Sequence, residues 1–144
     1  MKMKNEISAT WGIVCGSSSI DQETNNISLY TVLERFALKK GKEEPPKGNH
    51  KIPLVHEYIV LLQRTEPTDK KETFPLTFIV RDPKGVILSE APVPGVFESG
   101  KKRLRIRIKN NAFIISVPGE YRFETYVEGK EEPITSTPLE VVIN

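Results

Sequence analysis

The amino-acid sequence predicts an all-β protein, an antiparallel β-sandwich of about seven to eight strands with little helix. Eleven prolines are spread along the chain and leave few uninterrupted stretches for long helices. Between the prolines, β-branched and aromatic residues alternate with polar ones, as in strands with one buried face. Turn signals separate these segments at short intervals, which is typical of a sandwich of short antiparallel strands.

The first two strands are predicted at residues 7–15 and 27–38. In the first strand, apolar side chains occupy alternate positions from Ala9 to Cys15. The second fits neither the helical nor the strand period throughout, and its Tyr-Thr-Val segment favours a strand that contains a bulge. Residues 39–53 begin with a run of Lys, Glu, Pro and Gly that offers no apolar side chain to bury, so we expect a flexible surface loop there.

The middle of the chain predicts a buried strand followed by a hairpin. Residues 54–64 are almost continuously apolar in their centre, as expected of a central strand covered on both faces. Residues 74–81 and 86–89 flank an Asp-Pro-Lys-Gly sequence that favours a type I turn. Pro92 and Pro94 then predict the end of pairing or the edge of a sheet.

The last third of the chain predicts three more strands. In the basic segment 101–109, apolar and basic side chains alternate strictly from residue 103 onward, and the strand continues to residue 117. A Pro-Gly turn leads into the alternating segment 121–128, and residues 139–143 form the final strand. Tyr121 is expected to bury its ring while its hydroxyl reaches a backbone partner, as in a tyrosine corner.

Length and composition predict a single domain over residues 1–144. The chain has 21 Lys and Arg against 19 Asp and Glu, and this net charge of +2 does not indicate a globally basic nucleic-acid binder. One cysteine excludes an internal disulfide framework. The longest apolar run is far too short to cross a bilayer, and no signal peptide is recognised, so we expect a cytoplasmic protein without membrane insertion.

Two segments carry a family resemblance. Residues 20–30 (Ile-Asp-Gln-Glu-Thr-Asn-Asn-Ile-Ser-Leu-Tyr) resemble the first hairpin of a family of short prokaryotic proteins of unknown function. Residues 118–129 (Pro-Gly-Glu-Tyr-Arg-Phe-Glu-Thr-Tyr-Val-Glu-Gly) resemble the final hairpin of the same family. Residues 82–85 and 138–141 fit as well, so the resemblance spans most of the chain outside 39–53. It implies an immunoglobulin-like or macroglobulin-like sandwich, and it brings no activity or catalytic residue with it.

The candidate binding site is a basic strand. Its six cations are Lys101, Lys102, Arg103, Arg105, Arg107 and Lys109. The period of two places the last four on one face, about 6.5–7 Å apart along the strand, where they could neutralise the phosphates of a nucleic acid. No aromatic residue interleaves with them, although single-strand binders usually supply one for base stacking.

A structural interpretation of the same strand competes with the binding interpretation. Glu120, Glu124 and Glu128 alternate along the next long strand, and cross-strand Glu–Arg pairs would neutralise the basic residues. A row of Lys and Arg also protects an edge strand against aggregation. The sequence favours this structural interpretation and leaves open whether the acidic stripe faces the basic one.

Catalytic and metal-binding chemistry find little support in the sequence. The chain has two histidines, His50 and His56, and its three aspartates fall in separate loops. Cys15 ends an apolar alternation and is expected to be buried rather than reactive. The sequence contains neither a nucleophile elbow nor a glycine-rich phosphate loop. We therefore predict no catalytic residue, no metal, no cofactor and no enzymatic activity.

The sequence thus predicts a non-enzymatic module that acts through protein–protein contact, using the faces and end loops of the sandwich. The first alternative is an anion-binding module that uses residues 101–109, with an acidic protein or a nucleic acid as its partner. The second alternative is a small enzyme whose loop-built site the sequence does not locate. Homo-oligomer formation through edge strands is compatible with all three.

Overall fold

The computed structural model describes residues 6–39, 48–66 and 69–144. Within these ranges the chain forms β-strands and no helix, and so no helix that could cross a membrane. The strands are β1 (Ile7–Ile20), β2 (Ile27–Val32), β3 (Arg35–Leu38), β4 (His50–Arg64), β5 (Glu72–Arg81), β6 (Ile87–Phe97), β7 (Arg103–Ile115), β8 (Gly119–Val127) and β9 (Thr135–Ile143).

The strands form two sheets that pack face to face. One sheet has the order β2-β1-β4-β7 and the other has the order β3-β9-β8-β5-β6. Every pairing is antiparallel except that of β3 with β9, which is parallel. The predicted all-β sandwich is confirmed, with nine strands in the described residues rather than seven or eight.

The extra strand arises where a single bulged strand over residues 27–38 was expected. Thr31 adopts a left-handed backbone conformation with a φ of 56°, which an L residue rarely adopts in the middle of a strand. The amide of Leu33 then donates to the carbonyl of Val14 at 2.8 Å, and β3 joins the opposite sheet. The chain therefore changes sheets here, and the prediction of one strand was wrong.

The core lies between the sheets and is rich in aromatic rings. Tyr58 of β4 contacts Phe123 of β8 with ring centroids 5.5 Å apart, and Phe113 of β7 contacts Tyr121 at 5.3 Å. These contacts join the two sheets, and such pairs stabilise a core beyond the burial of their apolar area. β4 is paired on both sides, as the apolar centre of that segment predicted.

β4 begins earlier and β6 ends later than the sequence indicated. Residues 50–53 pair with residues 112–115, so they belong to β4 and not to a loop. Residues 40–47 of the predicted loop lie outside the described residues. Pro92 and Pro94 are paired within β6, which is an edge strand, so of the two predicted alternatives the structure shows the edge.

The predicted tyrosine corner is present. Tyr121 is fully buried, and its hydroxyl donates to the carbonyl of Val117 at 2.6 Å. The same oxygen accepts a hydrogen bond from the amide of Ser116 at 2.9 Å. These bonds hold the connection between β7 and β8 where the chain passes from one sheet to the other, a feature of immunoglobulin-like sandwiches.

Candidate functional site

The basic residues lie on the outer face and at one end of β7, the edge strand of its sheet. We call them the cationic row, which consists of Lys101, Lys102, Arg103, Arg105, Arg107 and Lys109. The intervening apolar residues pack against the core, so the alternation within the strand is as predicted. Alternate residues of a strand are about 6.6 Å apart, which sets the spacing of the row.

The first two cations precede the strand. β7 begins at Arg103, whereas Lys101 and Lys102 form the end of the turn that follows β6. Arg64 holds this turn, because its Nε donates to the carbonyl of Lys101 at 2.8 Å and its main-chain amide donates to the carbonyl of Lys102 at 2.9 Å. The turn therefore has a fixed backbone while both lysine side chains are exposed.

The acidic stripe does not face the cationic row. Glu120 and Glu124 belong to β8, which lies in the opposite sheet. The carboxylate of Glu120 accepts a hydrogen bond from Arg122 at 2.7 Å, and that of Glu124 accepts one from Arg81 at 2.5 Å. Glu128 follows the end of β8 in an exposed turn. The expected cross-strand pairs are wrong because the connection between β7 and β8 changes sheets instead of forming a hairpin within one sheet.

Two arginines of the row contact the β1–β2 hairpin instead. Arg107 donates from Nη1 to the hydroxyl of Ser18 at 3.0 Å, and the same nitrogen lies 3.9 Å from a carboxylate oxygen of Glu57. Ser18 in turn donates to that Glu57 oxygen at 2.9 Å. Arg105 donates from Nη2 to the main-chain carbonyl of Asn25 at 2.7 Å. Both arginines are thereby oriented by groups that the sequence alone did not connect to them.

The other four cations have no such contacts. Across residues 6–39, 48–66 and 69–144, no hydrogen bond or ion pair involves the side chain of Lys101, Lys102, Arg103 or Lys109. In this part of the chain Glu57 is the one carboxylate that forms an ion pair with the row. The row is therefore largely without neutralising charge.

The β1–β2 hairpin leans over the outer face of β4 and β7. Cys15 and Ile59 lie on that face, yet neither side chain is exposed to solvent. Burial raises the pKa of the Cys15 thiol, and the negative charge of Glu57 raises it further. Cys15 is thus a buried thiol, as predicted, and it forms part of the contact between the hairpin and the sheet.

A groove of about 470 Å³ lies between the hairpin and the row. One wall is the hairpin tip, with Ile20 and Asn25, and the opposite wall includes Val96 and Glu98. The cations that line the groove are Lys101, Arg103, Arg105 and Arg107. The Nε of Arg105 is buried there and has no hydrogen-bond partner among the described residues. The groove is therefore lined by four cations and one carboxylate, that of Glu98.

Trp11 also lies on this face, a position that the sequence did not predict. It is opposite Leu61 in the sheet, and Leu61 is opposite Arg105, so the three residues form one row across β1, β4 and β7. Trp11 and Leu61 are both half-buried. Trp11 thus lies two strands away from Arg105, at about 10 Å, and is not among the residues that line the groove.

The histidines and acids form no metal centre in the described ranges, where no three such side chains group together. His56 is buried, with its Nδ1 2.8 Å from the carbonyl of Leu54 and its ring in edge contact with Phe113 and Phe123. Burial lowers the pKa of His56 below its usual value. His56 is therefore a core residue rather than part of the candidate site.

Comparisons with known proteins identify the fold. No protein-family model and no curated protein sequence matches the chain, so the family resemblance stays a prediction. The chain is similar to part of the alkylpurine DNA glycosylase AlkC of Pseudomonas fluorescens bound to DNA with an abasic-site analogue. The TM-score is 0.54 and the identity 11%, over 95% of this chain and 30% of the glycosylase.

Two further structures are similar at about the same identity. A β-glucosidase from Listeria innocua in complex with isofagomine has a TM-score of 0.50 and 10% identity, over 98% of this chain and 17% of the enzyme. An immunoglobulin-like protein from Pseudomonas aeruginosa has a TM-score of 0.36 and 11% identity, over 94% of this chain and 96% of that protein. The chain thus spans less than a third of the glycosylase and of the glucosidase, and the likeness to them concerns the fold.

Proposed function

We propose that the chain is a non-enzymatic β-sandwich module that binds an anionic macromolecule through the cationic row. The observation that carries the proposal is the separation of charge between the sheets. The acids of β8 pair with arginines of their own sheet, while four cations of the row have no partner among the described residues. The net charge of the chain is therefore close to zero although one face of the molecule is strongly positive.

Physical chemistry connects such a face to a polyanion. Regularly spaced cations on a rigid strand displace the counterions condensed on a polyanion, and that release drives binding. Edge protection accounts for positive charge along β7, which is an edge strand. It does not account for a walled groove that four of the cations line. Similarity to part of a glycosylase bound to DNA agrees with a nucleic-acid partner, although it establishes the fold alone.

The proposal is tested by measuring binding to heparin and to a labelled DNA oligonucleotide at 50 and 200 mM salt. The test variant replaces with Gln the four unpartnered cations Lys101, Lys102, Arg103 and Lys109. A matched control replaces with Gln four exposed cations outside the row, namely Arg35, Lys71, Lys84 and Lys130. Both variants lose four charges, so a difference between them reports the position of the charge and not its amount.

We expect the wild-type chain and the control to bind both polyanions with affinities that fall steeply as salt rises. The row variant should bind at least tenfold more weakly at 50 mM salt. Its salt slope should be shallower by about one for each phosphate contact removed. Equal weakening in the two variants, or no binding by the wild-type chain, would disprove the proposal.

A protein partner is the second candidate, and the edge strand β2 favours it. Tyr30 and Val32 are each about half exposed on this strand, at 51% and 48%. A strand edge with apolar side chains can pair with a strand of another protein. If this edge is the contact surface, Tyr30→Ser combined with Val32→Ser should abolish co-purification of the partner, whereas the row variant should leave it intact.

A further inference from the structure

The groove beside β7 has the shape and chemistry for one particular class of polyanion. We propose that it holds a single strand of nucleic acid, with phosphates along Arg103, Arg105 and Arg107 and bases directed toward Leu61 and Trp11. This inference rests on the proposed function and specifies its ligand. Three observations support it: the fixed walls of the groove, the orientation of Arg105, and the apolar residues beside the row.

The spacing of the arginines suits a regular polymer of phosphates. The three arginines alternate along one strand, so their backbone positions are about 6.6 Å apart. Successive phosphates of an extended nucleic-acid strand recur at a similar separation. A guanidinium presents a fork of donors to phosphate oxygens, which a lysine ammonium does not. The row therefore offers one arginine to each of several successive phosphates.

Arg105 is prepared for such a contact. Its Nη2 is held by the carbonyl of Asn25, while its buried Nε has no hydrogen-bond partner in the described chain. The contact with Asn25 fixes the direction of the guanidinium, so less conformational freedom is lost when it binds a phosphate. The phosphate oxygen is the acceptor that the surrounding positive charge favours.

The walls of the groove are fixed by hydrogen bonds. At the hairpin tip, the amide of Asp21 donates to the carbonyl of Asn26 at 2.9 Å, and a carboxylate oxygen of Asp21 accepts from the amides of Glu23 and Thr24. The opposite wall is held by Arg64, which donates from Nη2 to the carbonyl of Glu98 at 3.0 Å. The groove therefore exists before any ligand binds, which lowers the cost of binding.

The apolar residues beside the row distinguish a single strand from a duplex. Leu61 and Trp11 lie one and two strand spacings from Arg105 on the same face. A duplex keeps its bases stacked inside and would present only phosphates, whereas a single strand offers both phosphates and base faces. Single-strand binding proteins combine a positive groove with aromatic side chains in this way.

The experiment measures binding of the full chain to four probes. They are a labelled 12-nucleotide oligothymidylate, a DNA duplex of the same length, heparin and polyglutamate. Trp11 is the only tryptophan of the chain, so its fluorescence reports directly on contact with bases. Anisotropy of the labelled oligonucleotide gives the affinity at 50 and 200 mM salt.

We expect the oligothymidylate to bind at least tenfold more tightly than the duplex and to quench Trp11. Three phosphate contacts predict a loss of affinity of about 20-fold between the two salt concentrations. Arg105→Lys keeps the charge but removes the guanidinium fork that Asn25 orients, and it should weaken oligothymidylate binding several-fold. Trp11→Leu should weaken oligothymidylate about tenfold and leave heparin binding unchanged. Arg122→Gln, on the opposite sheet, is the matched control and should change neither oligothymidylate binding nor heparin binding.

The outcomes separate this inference from the proposed function. A duplex that binds as tightly as the single strand would overturn the inference while the polyanion proposal stands. Polyglutamate that binds as tightly as oligothymidylate at equal salt would identify an acidic protein as the occupant and would also overturn it. Absence of binding to all four probes would overturn both. If Arg105→Lys unfolds the chain, Arg103→Gln at the exposed end of the row tests the same phosphate contacts.

Discussion

The guanidinium of Arg64 lies over the ring of Phe97, with 5.1 Å between its Cζ and the ring centroid. The side chain of Arg64 is fully buried at the end of β4. It donates to the carbonyls of Lys101 and Glu98, and therefore holds the turn that carries the first two cations of the row. A buried arginine thus joins the core of the sandwich to its candidate binding surface.

Arg64→Met should destabilise the protein because the carbonyls that Arg64 satisfies would lose a charged donor in a buried place. We expect the free energy of unfolding to fall by about 2–4 kcal/mol, measured by urea denaturation. Arg64→Lys keeps the charge but loses the planar fork, so it should recover only a small part of the loss. If the midpoint of urea denaturation is unchanged in both variants, other contacts hold the turn.

Removal of the Tyr121 hydroxyl should weaken the corner between β7 and β8. Tyr121→Phe leaves the carbonyl of Val117 and the amide of Ser116 without their partner, and we expect a loss of about 1–3 kcal/mol in the free energy of unfolding. Tyr30→Phe is the control, since among the described residues its hydroxyl bonds to Ser19 alone, at the surface. That change should cost less than about 0.5 kcal/mol. Similar losses in the two variants would contradict the structural role of the corner.

Local sequence patterns predicted where most of the strands lie, because most strands show their own period, although several of the predicted bounds were wrong. The alternation around Tyr121 and the apolar centre of β4 gave the buried faces correctly. The Pro-Gly-Glu-Tyr turn likewise located the tyrosine corner, since turn geometry depends on neighbouring residues. These features depend on residues that are close together in the chain, so a single sequence is enough to predict them.

The candidate site was only half predicted, because its other half comes from distant parts of the chain. The basic alternation identified Arg105, but not that Asn25 would bind its side chain or that Trp11 would lie in its row. The sequence also left open whether the row faced Glu124. The answer depends on whether two consecutive strands share a sheet, which the turn between them does not reveal. Arg64 was missed because a charged residue at the end of an apolar strand usually marks the surface.

The stability of the protein should fall as pH decreases from 7 toward 5, because of His56. Burial holds the pKa of His56 in the folded chain below the value of about 6.5 in the unfolded chain. As pH falls through 6.5, the unfolded chain therefore binds a proton that the folded chain does not, and the free energy of unfolding decreases. The contribution is fully present above pH 6.5 and is lost as pH falls toward the folded pKa.

Urea denaturation at pH 7, 6 and 5 tests this prediction with two variants. His56→Leu should be less stable at pH 7, since the carbonyl of Leu54 loses its partner, but its stability should decline less between pH 7 and 5. Asp82→Asn is the control. Burial alone would raise the pKa of Asp82, but hydrogen bonds from Val86, Ser116 and Lys84 lower it below 3.8. Asp82 therefore changes the stability of the protein only at pH values below about 4. A decline from pH 7 to 5 that is as steep in His56→Leu as in the wild-type chain would show that other groups cause it.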